Sequence, residues 1–154
     1  MLLIIERVAA LKSIDLFADT PDYLLASVAQ IVEEMQLGPE QLFIEEGSLG
    51  DCMYLVVEGQ VRVHSAGKTI VLLGPGASVG ELAVLDPEPR SASVSTVGEA
   101  LLFRLDKEPF DEVMADRPEI AHSVIRALCE RIRVQGRTIR AAALSTDAEA
   151  EFAA

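Results

Sequence analysis

The feature that most restricts the fold of this chain is the change of texture after Gly38. Residues 44–76, IEEGSLGDCMYLVVEGQVRVHSAGKTIVLLGPG, are a series of short β-rich runs, Cys52–Val57, Gln60–His64 and Thr69–Leu73, punctuated by glycines at 47, 50, 59, 67, 74 and 76. The same texture resumes at Ala92–Thr96 and Ala100–Leu105. Evenly spaced short strands with glycine turns predict an antiparallel barrel or jelly roll.

Helical periodicity flanks this block. Apolar residues recur at three and four over Ile4–Leu16 and again over Asp22–Met35 (Leu24, Leu25, Val28, Ile31, Val32, Met35), with Thr20 as the expected cap and Pro21 as the first helical position. After Asp106 a short helix is expected over Lys107–Ala115. A longer one starts at Pro118, with Ile120, Val124, Leu128 and Ile132 on one face and Arg126, Arg133, Arg137 and Arg140 on another. At 154 residues, half of them hydrophobic, the chain has the size of one domain. That domain is assigned to residues 1–144, and the small, polar segment 145–154 is expected to be a disordered tail.

Composition removes several function classes. Thirteen Lys and Arg stand against 25 Asp and Glu, a net charge of −12 that repels a nucleic acid backbone over most of the surface. Cys52 and Cys129 are far apart and form no metal or disulfide pattern, so core thiols in a reducing, cytoplasmic setting are expected. Leu2–Ile5 is too short for a signal segment or a membrane span. His64 and His122 stand in no nucleophile or metal motif, and neither GxSxG nor HExxH occurs. No enzyme activity, cofactor or metal is expected.

Between the two β blocks lies SVGELAVLDPEPRSASV, residues 78–94. Its glycines do not make a dinucleotide loop, because Pro87 and Pro89 limit the helix to about one turn and a strand follows. A short helix near Gly80–Ala83 presents free first-turn amides, and the planar fork of Arg90 suits two oxygens of one phosphate. Ser91 adds a hydroxyl donor. Glu81, an acceptor, suits a sugar hydroxyl, so the stretch asks for a phosphorylated ribose. The competing reading makes Arg90 a surface residue paired with Asp86 or Glu88.

VGELAVLDPEPRSASV resembles the phosphate-binding cassette of the cyclic nucleotide-binding domain family. IEEGSLGDCMYLVVEGQVRV is similar to that family's β-roll signature, with Glu46, Gly47, Gly50, Asp51, Tyr54, Glu58 and Gly59 in their usual places. LKSIDLFADTPDYLLASVA is similar to its N-terminal helical section, so the likeness spans roughly residues 8–135, as in Crp-like regulators and kinase regulatory subunits. One departure is Val79, where many members have phenylalanine.

The resemblance implies a mainly β fold with flanking α: a β-roll with N-terminal helices, a short phosphate-binding helix and two C-terminal helices, B and C. It implies a ligand site of Gly80, Glu81, Leu82, Ala83, Arg90, Ser91 and Ala92. Arg90 clamps the cyclic phosphate with help from the Ala83 and Ser91 amides, and Glu81 with the Gly80 backbone holds the ribose 2′-hydroxyl. Gly47, Gly50 and Gly59 are implied to be turn glycines with positive φ rather than site residues.

The last helix is implied to be a lid that touches the base through a residue among Leu128, Arg131, Ile132 and Gln135. The expected function is a sensor or regulatory domain for a cyclic mononucleotide, with Ser91 favouring cyclic AMP over cyclic GMP and with an unidentified effector. Too few residues follow the long helix for a helix-turn-helix domain, so no nucleic acid contact is expected, and no membrane insertion. The alternative is a ligand-free interaction module that dimerises through the C-terminal helix, using Ile120, Val124 and Leu128.

Overall fold

The computed structural model describes residues 1–153, with side chains described for residues 1–81 and 83–146. Two antiparallel four-stranded sheets form the β-roll. One runs in the order β1 (Glu33–Leu37), β8 (Ala100–Asp106), β3 (Cys52–Glu58), β6 (Ser78–Val79). The other runs β2 (Leu42–Ile44), β7 (Ser93–Thr96), β4 (Val61–Ser65), β5 (Lys68–Leu73). The helices are α1 (Ile4–Lys12), α2 (Asp22–Ala29), α3 (Glu81–Leu85), α4 (Lys107–Asp116) and α5 (Pro118–Ala153), with a 3-10 turn at Asp15–Phe17. The architecture is the mainly β one with flanking helices that the sequence predicts.

Strands β3 and β8 explain why CMYLVV is a continuous apolar run rather than an alternating one. They pair in register, Met53 with Leu105, Tyr54 with Arg104 and Leu55 with Phe103. Successive side chains of a strand point to opposite faces, and here both faces are covered. Cys52, Tyr54, Val56, Ala100 and Leu102 face the second sheet and pack with Ile44, Val61, Val79 and Val94. Met53, Leu55, Phe103 and Leu105 face the helices and pack with Leu11, Phe17, Leu25, Val28, Phe110 and Ile120. The Phe17 and Phe110 rings meet edge to face, with centroids 6.1 Å apart.

Three expectations are corrected. The helix predicted over Asp22–Met35 ends at Ala29, and Glu33–Leu37 is strand β1, paired residue by residue with β8 from Glu33–Arg104 to Leu37–Ala100. Ile31, Val32 and Met35 satisfy either period, and the open edge of β8 supplies backbone partners that override the helical one. Thr20 does not cap α2. The Pro21 carbonyl receives the N–H groups of Leu24 and Leu25 at 3.0 and 3.1 Å, while the buried Thr20 hydroxyl has no partner. Gly47 and Gly59 have the positive φ expected, +84° and +89°, whereas Gly50 does not.

On α5, Ile120 and Val124 are fully buried and Leu128 packs at the margin of the same core. The apolar face then leaves the domain: Ile132 is 67% exposed, and residues 132–146 are exposed throughout. The helix continues to Ala153, over most of the segment expected to be a disordered tail; the alanine-rich sequence from Ala141 onward supplies the propensity there.

Phe110 joins α4 to the turn before α2 with no exposed surface. Phe110→Ala is expected to lower stability by about 3–5 kcal/mol, read from urea unfolding curves of the two proteins.

Candidate functional site

Gly80, at φ +77°, turns the chain from β6 into the single turn of helix α3. That conformation favours glycine. Its carbonyl accepts the Ala83 N–H at 3.1 Å and Arg90 Nη1 at 3.3 Å. The Ala83 amide, expected to assist the phosphate, is thus engaged within its own turn.

Arg90 is fixed by backbone and side chain alike. The Gly47 N–H donates to the Arg90 carbonyl and the Arg90 N–H to the Ser48 carbonyl, each at 2.8 Å, and Leu49 bridges to Pro89. Arg90 Nη2 donates to the Cys52 carbonyl at 2.7 Å and lies 3.7 Å from the Cys52 Sγ. No carboxylate pairs with Arg90 among the described residues. Asp86 and Glu88 are exposed and do not reach it, so the surface-pairing reading fails. A partly buried guanidinium bonded to two carbonyls and the Cys52 sulfur, with no carboxylate counterion among the described residues, has the electrostatics suited to an anion.

Glu81 is in the opposite condition. Its side chain is 14% exposed and already ion-paired with Arg131 of α5, which also donates to the Ser78 hydroxyl at 3.3 Å. Of the four residues expected to reach the ligand from the last helix, Arg131 alone is brought onto the cassette. Leu128 packs at the core margin, and Ile132 and Gln135 are exposed. Ser78 was not foreseen, since a serine at the end of a two-residue strand carries no sequence signal.

Two cavities share Gly80, Glu81, Arg90 and Ser91. The larger, about 410 Å³, adds Ala83, Asp86, Glu88 and Pro89. The smaller, about 220 Å³, adds Ser78, Ala92 and the apolar side chains of Ile44, Val63, Val79 and Val94. The cassette residues are therefore gathered where a larger, charged cavity and a smaller, mostly apolar one meet. The Leu82 side chain lies outside the described ones.

Behind Arg90, Tyr54 lies beside Cys52 and opposite Arg104 in the β3–β8 register. Burial, with the Cys52 thiol adding to it, pushes the Tyr54 phenol up to about 12, against a smaller lowering by Arg104 and Arg90. Asp106, 2.8 Å from Arg104 Nε, holds that guanidinium above its ordinary range.

The cyclic nucleotide-binding domain family model matches residues 34–117, more than half of the chain. The chain belongs to the cyclic nucleotide-binding domain family. It is 32% identical over 93 residues to the CRP-like cAMP-activated global transcriptional regulator of Mycobacterium tuberculosis, covering 57% of this chain and 42% of that one. The cyclic AMP receptor protein of Thermus thermophilus is 38% identical over 93 residues, 57% of this chain and 43% of that one. The chain thus spans less than half the length of these curated relatives. Among solved structures, the N-terminal domain of a Streptomyces coelicolor transcriptional regulator superposes with a TM-score of 0.75 at 29% identity, covering 84% of this chain and 94% of that one. No helix among the described residues is long and apolar enough to cross a membrane.

The raised Tyr54 pKa makes stability depend on alkaline pH. The ordinary tyrosine value is 10.0 and the folded one about 12, so the folded state holds the proton more tightly. That contribution is complete below pH 10 and lost as pH rises through about 12. Tyr54→Phe is expected to flatten this alkaline decline, seen as a smaller fall of the urea midpoint over that range.

Proposed function

We propose that this domain is a non-enzymatic sensor of a cyclic mononucleotide, cyclic AMP ahead of cyclic GMP. The observation that carries the reading is the partly buried Arg90 guanidinium with no carboxylate partner, at an opening that also holds Glu81 and Ser91. A cyclic phosphate supplies the missing charge, and its two free oxygens match the guanidinium fork. Glu81 keeps a second oxygen for a ribose hydroxyl while Arg131 holds the first. The smaller cavity, with its side chains of Ile44, Val63, Val79 and Val94, is of a kind that takes part of a sugar or a base. The M. tuberculosis relative is cAMP-activated by its name, which supports the choice of nucleotide. Free thiols at Cys52 and Cys129 suit a cytoplasmic setting.

Transmission runs through α5. Ligand and helix meet on the same carboxylate, so the ligand's differential affinity for the two positions of α5 is what biases the helix. Leu128, Ile132 and Gln135 follow Arg131 in that motion. The stripe that the alternative reading gives to a dimer contact, Ile120, Val124 and Leu128, packs in the core or at its margin. Ile125, Ile132 and Ile139, each more than half exposed and seven residues apart, form a different stripe suited to a second copy of the helix. The effector is a partner or domain that reads α5.

Titration calorimetry with cyclic AMP and cyclic GMP tests the site. Charge-assisted hydrogen bonds contribute about 1.5–3 kcal/mol each, so Arg90→Ala is expected to weaken binding by at least about tenfold. Unchanged affinity in that variant places the ligand elsewhere. Arg131→Ala is expected to keep measurable binding while losing the protection that cyclic AMP adds to α5 amides in hydrogen exchange. Persistence of that protection sinks the coupling through Glu81. The parent is expected to sediment as a dimer and Ile132→Glu with Ile139→Glu as a monomer, and a monomeric parent or an unaltered dimer rejects the seam.

A further inference from the structure

Gly50 is buried, yet its φ is not in the left-handed region, so its backbone conformation does not call for glycine. What excludes a side chain there is Arg90. A β-carbon on Gly50 would stand closer than 3.0 Å to Nε, Cζ and Nη2 of Arg90, a distance that real β-carbons do not adopt. Gly80 has the same relation to Nη1 of the same group, and its β-carbon would lie 3.2 Å from Cζ. The guanidinium is therefore lined by two glycines, with the Cys52 and Gly80 carbonyls receiving two of its N–H groups.

We propose that Gly50 is a positioning residue for the anion site. Its missing side chain lets the Arg90 guanidinium reach those carbonyls and hold its remaining donors toward the opening. The Arg90 backbone is tied by its bonds to Gly47 and Ser48, so a methyl group at position 50 displaces the side chain rather than the backbone. The inference rests on Arg90 being the phosphate ligand. Gly50 is the position to test, because a substitution at Gly80 is strained by its φ of +77° whatever the space.

The experiment compares the parent, Gly50→Ala, Arg90→Ala and the double variant by ligand-free thermal melting and by calorimetric titration with cyclic AMP. Gly50→Ala is expected to weaken cyclic AMP binding by about tenfold or more, since small displacements of a charged contact forfeit much of its strength. Its melting temperature is expected to fall in the parent background and to change little in the Arg90→Ala background, where the obstructing side chain is gone. A fold defect unrelated to Arg90 lowers the melting temperature equally in both backgrounds, and that result overturns the proposal. Parental affinity in Gly50→Ala, with binding lost in Arg90→Ala, overturns it as well. Parental affinity in Arg90→Ala overturns the phosphate reading itself, and the two failures are told apart by which single variant still binds.

Discussion

The pairing of β3 with β8 is the constraint on which the rest of the molecule depends. Both strands are covered on both faces, by the second sheet on one side and the helices on the other. A register slip of one residue would send Met53, Leu55, Phe103 and Leu105 into the β-roll and the residues between them into the helix layer, exchanging two differently shaped cores at once. The register is correspondingly rigid. It also delivers function, because the first residue of β3 is Cys52, whose carbonyl anchors Arg90. The helix layer, the β-roll and the site therefore share one reference frame.

Arg90 and Glu81 differ in how their burial is compensated. Arg90 is held by neutral carbonyls and lacks a counterion, whereas Glu81 has its cation from α5. Removing a charge from water is costly unless an opposite charge or several strong dipoles replace the solvent. Arg90 is thus the group that gains most from an anion. Glu81 is the group that ties the cassette to α5. On the proposed reading, recognition and transmission are divided between adjacent parts of one short cassette, nine residues apart in the chain.

Much of this was legible in the chain itself. The glycine-punctuated β runs, the helix after Pro118 and the clustering of Gly80, Glu81, Arg90, Ser91 and Ala92 follow from local sequence and from the family pattern. Elsewhere local pattern misled. Residues 33–37 carry apolar positions compatible with a helix, and only the free edge of β8 makes them a strand. Ile132 continues an apolar helical face, yet α5 outruns the domain it packs on, so the face ends at Leu128. Gly50 was legible as a glycine but not as a neighbour of Arg90, since the two are forty residues apart and meet only across the Leu49–Pro89 bridge.

The sequence by itself determined the fold class and the cassette residues of the candidate site, because periodicity, turn residues and a contiguous cassette are local properties. Tertiary structure alone decided the pairing state of each charge: that Arg90 meets carbonyls and a sulfur but no carboxylate among the described residues, that Arg131 rather than its neighbours reaches Glu81, and that Asp86 and Glu88 stay exposed. Those outcomes depend on distances between segments remote in the chain, and electrostatic partners are chosen by such distances and by burial, neither of which residue order encodes on its own.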